Sequence, residues 1–227
     1  DKKITEAQLI LLAVPVKAFA KVISQIRPHL SSDAVLTDAG SVKSPLINMM
    51  CSPENAAIRF VGGHPITGSE NFGPSASQDN LFAGKHFILT PSKNTDRNVL
   101  RTVRELWESL GAEVSEMDAE AHDQMFASVS HLPHLLAYAS IHAITNSDKP
   151  AALGQSGAGL KDFSRIASSS PEMWADIFLE NQKNLLPRMN TFKDAMTDLE
   201  DAIMRNDKEK LIELLTLAKT ERDRWMT

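Results

Sequence analysis

A single cysteine, Cys51, among 227 residues rules out an intrachain disulfide and a thiolate-built metal site. Excess positive charge is missing as well. Lys and Arg total 24 against 29 Asp and Glu, a formal net charge of −5, so there is no electrostatic footprint for DNA, RNA or an anionic membrane. No apolar run approaches the roughly 18 residues that a transmembrane helix requires, and no basic-then-apolar signal opens the chain. Internal repeats and low-complexity segments are also lacking. What remains is 42% hydrophobic, 23% charged and 6% aromatic, an ordinary globular composition with enough chain for one large domain or two modest ones. A reducing, cytoplasmic setting is expected, with no nucleic-acid partner, no membrane and no metal. Cys51 is expected to be a small buried hydrophobe.

Short apolar runs occur at residues 8–14, 34–37, 59–62 and 86–90, with a mixed one at 113–117. Bounded by Gly, Pro or Asp, they suit strands covered on both faces of a sheet. Helical patterns separate them at 16–29 and 96–110, and Gly111 follows the second as its C′ residue. Strand and helix in alternation predict an α/β layer with a largely parallel sheet. From about Asp118 strand-like runs vanish and long helical patterns take over at 119–145, 171–204 and 208–225. Pro171, after three serines, predicts a helix start with a Ser cap and Pro at N1. Asn206 and Asp207 mark a break between the last two helices. The expected organisation is therefore an α/β domain over 1–117 and an all-α domain over 118–227.

Four clusters carry residues suited to chemistry. Thr37-Asp38-Ala39-Gly40-Ser41-Val42-Lys43 lies where a strand gives way to a helix, the edge at which open α/β sheets place ligands. There Ser41 is either a ligand contact or a helix cap. In Gly62-Gly63-His64-Pro65-Ile66-Thr67-Gly68-Ser69-Glu70 a strand runs into a histidine whose ordinary pKa, about 6.5, suits proton uptake at neutral pH. A histidine that only hydrogen-bonds within its loop is the alternative. Ser130-His131-Leu132-Pro133-His134 puts two histidines on neighbouring helix positions around a proline. No third metal ligand has suitable spacing, so a contact to a substrate carboxylate or carbonyl is the better functional reading. The fourth cluster, Gly157 to Ala167, reads as a loop between helices that delivers Lys161, Asp162 and Arg165. Arg165 could clamp a carboxylate bidentately or simply pair with Asp162.

Taken in order, the strings LLAVP, TDAGSVK, GGHPITGSE, LFAGKHFILTP, SHLPH and GLKDFSRIA resemble the prephenate and arogenate (cyclohexadienyl) dehydrogenase family over essentially the whole chain. The resemblance implies a Rossmann-type nucleotide-binding domain, here without its first part, followed by an all-α dimerisation domain. The implied reaction is NAD- or NADP-dependent oxidative decarboxylation in tyrosine biosynthesis. The ring C4 loses a hydride, the C4 hydroxyl loses its proton, and departure of carbon dioxide aromatises the ring. His64 would accept or hydrogen-bond the hydroxyl proton, with Ser41 beside it and the nicotinamide. Arg165 would bind a substrate carboxylate, while His134, His131 and Ser130 line the substrate pocket. Pro15, Gly40, Ser41 and Lys43 would contact the cofactor. A homodimer is implied, with prephenate or arogenate as substrate and tyrosine as a candidate inhibitor. Trp174 and Phe178 would reach the dimer interface or pack in the core.

The 227 residues contain no strand followed by Gly-x-Gly-x-x-Gly, the loop that cradles a pyrophosphate on a helix N-terminus. The chain is accordingly expected to be a truncated piece, or the ordered part, of a longer protein, with cofactor affinity severely reduced if it acts alone. Two rival readings remain. One is a two-domain hydroxyacid dehydrogenase relying on a catalytic lysine, for which Lys161 is the candidate; the other is a non-catalytic dimerising module that binds tyrosine or prephenate.

Overall fold

The computed structural model describes residues 2–67, 77–147 and 151–226; Gly68, Ser69 and Glu70 of the second cluster lie outside them. After a short helix α1 (Lys2–Thr5), the apolar runs become β1 (Leu9–Leu12), β2 (Val35–Asp38), β3 (Arg59–Pro65), β4 (His86–Thr90) and β5 (Glu113–Glu116). Between them lie α2 (Phe19–Ile26), α3 (Ser44–Met50) and α4 (Arg97–Ser109). The five strands form one sheet in the order β1-β2-β3-β4-β5. Three pairings are parallel, but β3 and β4 are antiparallel, with His64 opposite Ile88. Antiparallel neighbours need no crossover helix, in keeping with the absence of an amphipathic pattern between Pro65 and His86. This is a Rossmann-type layer with one reversed pairing.

Burial explains which runs became strands and which stayed half-wet. β2 is buried along its whole length, and β3 and β4 nearly so. The outer strands are not covered on both faces as expected: Leu11 in β1 is exposed, and so is most of β5. One face of the sheet packs Leu12, Leu36 and Phe60 against Phe19 and Ile23 of α2 and Leu46 and Met50 of α3. The other packs Val35, Val61, Phe87 and Leu89 against Val99, Val103 and Trp107 of α4. Asp96 caps α4 by accepting from the Asn98 and Val99 amides, and Gly111 closes it with φ of 82°. Cys51 is exposed at the end of α3, not buried. That position lies just past the last turn of α3, whose inward face ends with Met50.

From Asp118 onward the fold is all helix: α5 (Ala119–Phe126), α6 (Leu132–Ser147), α7 (Ala151–Gly154), α8 (Ala158–Ser164), α9 (Pro171–Glu180), α10 (Gln182–Met204) and α11 (Lys208–Met226). The stretch expected as one helix from 119 is interrupted by a π turn at Ala127–His131. Pro133 offers no amide to the carbonyl four residues earlier and crowds it with its ring, so a widened turn precedes it. The stretch from 171 breaks at buried Asn181, whose side chain is committed to hydrogen bonds elsewhere. Ser170 caps α9 with Pro171 at N1, and Asn206 turns the chain between α10 and α11 with φ of 53°.

The chain forms two compact units, Asp1–Leu185 and Leu186–Thr227. The first holds the sheet and the helices through α9. The second is a helical hairpin with an apolar groove lined by Phe192, Met196, Ile203, Leu211 and Leu215. No helix among the described residues is long and apolar enough to cross a membrane.

Candidate active site

The carboxyl ends of β2 and β3 lie side by side in the parallel part of the sheet, and the chain leaving them builds one wall of a cleft of about 450 Å³. Ala39 and Ser41 come from β2 and its turn, His64 and Pro65 from the end of β3, and Ile66 and Thr67 from just beyond it. The facing wall is helical: Phe126 of α5, Ser130 of the π turn, His134 of α6, Arg165 and Ser169, and Met173 and Trp174 of α9. Ser41, His64, Ser130, His134 and Arg165, more than a hundred positions apart at the extremes, are thus brought to one cavity.

Beneath His64 lies a polar network. Asp38 ends β2 and forms a fully buried ion pair with Lys43. Asp38 Oδ1 accepts the Gly63 amide at 2.9 Å, and the Lys43 ammonium donates to the Gly63 carbonyl at 2.6 Å. Both polar groups of the residue before His64 are therefore pinned. An added side-chain carbon at Gly63 would lie 2.8 Å from the Asp38 carbonyl, so the approach needs glycine. Burial pulls the Lys43 amine below its ordinary range, and attraction to Asp38 opposes it.

A second chain of bonds runs sideways. His64 Nδ1 lies 2.8 Å from His122 Nε2, and His122 Nδ1 lies 2.9 Å from Asp123 Oδ1. Asp123 also accepts the Lys43 and Ser44 amides, each at 2.8 Å, capping α3 from 79 and 80 positions away. Neither Ser41 nor the local side chains do so. Burial alone would push the Asp123 carboxyl up, yet the bonds from His122 and the two amides hold it below the usual range. Burial, then the neighbouring His122, Lys43 and His131, drive His64 well below the ordinary histidine value. In its resting state His64 is a neutral base.

The SHLPH histidines diverge because the π turn lies between α5 and α6. His134 faces the cleft, stacks on Trp174 with ring centres 3.6 Å apart, and donates from Nδ1 to the Ser130 carbonyl at 2.9 Å. His131 points away into the interior and does not line the cleft. There the Asn181 amide donates to its Nδ1 at 3.0 Å and to the Asp123 carbonyl at 2.8 Å. Burial lowers the His131 pKa to about 4. Trp174 is buried, lines the cleft and contacts Phe178 within the first unit.

The expected cofactor contacts separate in the same way. Ser41 is on the cleft wall, and Gly40 lies beside it, its amide held by Asp38 at 2.8 Å. Pro15 is exposed at the carboxyl end of β1 and starts the turn into α2, outside the cleft lining. Lys43 must be corrected as a direct contact: its ammonium has no exposed surface and is committed to Asp38 and Gly63. Lys161 and Arg165, expected on a loop, belong to α8 and the 3₁₀ turn after it. Lys161 is exposed and outside the cleft lining.

His122, Asp123 and Asn181 were not singled out from the sequence. A signal existed for two of them. Ala119, His122, Asp123 and Phe126 follow helical spacing and form the buried stripe of α5, so two ionisable side chains occupy an inward face. Asn181 gave none, being one polar residue inside a long helical pattern.

Chemically, the cleft offers a neutral base, hydroxyls at Ser41 and Ser130, a guanidinium and a histidine stacked on an indole. The donor set at the carboxyl ends of β2 and β3 fits the nicotinamide end of a dinucleotide, at the edge where open α/β sheets bind such ligands.

The family model for the prephenate dehydrogenase nucleotide-binding domain matches residues 1–116, and that for the prephenate dehydrogenase dimerization domain matches 118–217. A cyclohexadienyl dehydrogenase from Zymomonas mobilis is 36% identical over 213 residues, spanning 92% of this chain and 72% of that protein. A prephenate dehydrogenase from Bacillus subtilis is 30% identical across 97% of this chain, which spans only 60% of that protein. The crystal structure of a prephenate dehydrogenase from A. aeolicus, in complex with hydroxyphenyl propionate and NAD+, superposes with a TM-score of 0.87 at 40% identity. It covers 96% of this chain and 76% of that one.

Proposed function

The chain belongs to the prephenate dehydrogenase family, and on that premise we propose that it carries out the NAD(P)-dependent oxidative decarboxylation of prephenate or arogenate in tyrosine biosynthesis. The observation that carries this reading is the convergence of His64, Ser41, Arg165 and His134 on one cleft, with His64 held neutral. NAD(P)+ bound at the Ser41 side supplies the acceptor for the hydrogen and electron pair that leave the ring C4. His64 takes the hydroxyl proton through the ring nitrogen not bonded to His122. Arg165 binds a substrate carboxylate, and His134, stacked on Trp174, contacts the substrate side chain with Ser130 nearby. Ser41 orients the hydroxyl and the nicotinamide toward each other. His131 and Lys43 act from behind the wall, as supports.

The rival that needs a catalytic lysine is disfavoured by the position of Lys161 outside the cleft. Further parts of the same proposal are a domain break at 117/118, a homodimer formed through the helical part, a cytoplasmic setting and tyrosine as an inhibitor. The test follows the near-ultraviolet absorbance of reduced nicotinamide with prephenate and then arogenate, each with NAD+ and NADP+. Turnover of either substrate is the expected result once the cofactor is raised to saturation. Silence with all four combinations, in a folded protein that still binds tyrosine, would replace this reading with that of a binding module.

A further inference from the structure

We propose that His64, His122 and Asp123 form a two-histidine relay, in which His64 takes the proton from the substrate and passes on its own Nδ1 proton, so that the positive charge comes to rest on His122 and not on His64. The inference rests on the dehydrogenase reading for its substrate, and on geometry for the rest.

Asp123 fixes the direction of every bond in the chain. Its carboxylate accepts the Lys43 amide, the Ser44 amide and His122 Nδ1, all at 2.8–2.9 Å. An ionised carboxylate can only accept, so His122 Nδ1 carries a proton. A neutral His122 then presents a bare Nε2, and His64 Nδ1, 2.8 Å away, must donate to it. That leaves Nε2 of His64 unprotonated and available to a ligand in the cleft. The tautomer needed for a base is therefore set two residues away, by a carboxylate that never touches the substrate.

The same contacts decide where charge can reside. A cation on His64 would be buried beside the Lys43 ammonium, with His131 also near. A cation on His122 is buried too, and Lys43 opposes it, but Asp123 is bonded to it and Asp38 also favours it. Glu120, the remaining acidic group in the first turn of α5, bonds instead to Lys183 near the surface. When the hydroxyl proton arrives at His64 Nε2, the Nδ1 proton can leave to His122 Nε2. One proton enters His64 and one departs, so His64 stays neutral as its other tautomer and His122 becomes an imidazolium against Asp123. As carbon dioxide leaves and its bonding pair aromatises the ring, the phenolate oxygen recovers a proton by the reverse route. No proton is gained or lost overall.

Two variants and one spectrum test this. His122→Gln keeps an acceptor for His64 Nδ1 but cannot carry a proton. Asp123→Asn removes the counter-ion. In each, kcat should fall about 10²-fold or more while KM changes little, and the acid limb of the kcat profile should shift. Turnover in the unsubstituted protein with kcat and pH profile unchanged in His122→Gln would overturn the relay and leave the dehydrogenase reading intact. Absence of turnover in the unsubstituted protein at saturating cofactor would instead overturn that reading. Histidine ¹⁵N NMR of the unliganded, unsubstituted protein needs neither activity nor a folded variant. It should find Nδ1 protonated and Nε2 bare on both His64 and His122; a proton on His64 Nε2 would overturn the proposal.

Discussion

Replacing His64 by Asn removes the acceptor nitrogen from a position where the surrounding network keeps the side chain neutral. A fall in kcat of about 10²–10⁴, with KM changing only severalfold, is the expected outcome in steady-state assays with prephenate and NAD+. Arg165→Gln should behave oppositely, raising KM for the dianionic substrate roughly 10–100-fold with a smaller effect on kcat, as expected for lost charge-assisted hydrogen bonds. Comparable kcat losses in both variants would mean that Arg165 acts on the reacting ring. The histidines also set how stability depends on pH. His64, His122 and His131 all have folded pKa values below their unfolded value near 6.5, with burial the first cause of each and His131 lowered to about 4. Below about pH 6.5 the unfolded chain therefore binds more protons than the folded one. Their stabilising contribution is complete above that pH and is lost as pH falls toward 4, at up to about 1.4 kcal/mol per pH unit for each histidine. Asp123 is lowered as well, so its own loss comes only under more acidic conditions and does not obscure this window. Urea unfolding at a series of pH values from 7.5 to 5 should show the decline, and a flat profile would contradict the burial of these rings in solution.

Where β2 hands over to α3, the turn is held by an ion pair with no exposed surface, Asp38 with Lys43. Lys43→Met would leave the Asp38 carboxylate uncompensated and free the Gly63 carbonyl. Breaking one side of such a buried pair costs about 3–5 kcal/mol, measurable as a lower denaturant midpoint. Adding Asp38→Asn should return part of the loss, because the stranded charge is then gone. These elements also mark how far the sequence could be read. The strand at 86–90, the start of α4 at Asp96 and the turn at Asn206 follow from local chemistry: apolar run length, a capping carboxylate, a residue tolerant of positive φ. The convergence of Ser41, His64, His134 and Arg165 came only from family resemblance, since no spacing rule links positions so far apart. Lys43 was carried onto the cofactor with the family resemblance alone, whereas Asp38, five residues earlier, draws it inward. His131 was misplaced for a different reason. Helical spacing would align it with His134, but the π turn before Pro133 shifts the register by which His131 turns inside.

At the scale of the molecule, the hairpin of α10 and α11 presents more apolar surface than a lone helical pair can hide. Met196, Ile203, Met204, Ile212, Leu215 and Leu217 are each about half exposed or more, and several of them line a continuous groove. Exposed patches of this kind mark surfaces that pair with another chain. The family match over 118–217 is to a dimerization domain, which makes a second copy of the chain the natural occupant. A carboxylate placed in such a surface must be desolvated without a partner when the copies meet, and the two copies would face each other with like charge. Ile203→Glu combined with Leu215→Glu should therefore weaken self-association by 10-fold or more, shifting the sedimentation-velocity boundary from dimer toward monomer at micromolar concentration. The sheet and the cleft belong to the first unit, so its strand signature in circular dichroism should persist. A dimer boundary unchanged by both substitutions would place the interface elsewhere on the helical part and leave this groove for a different partner.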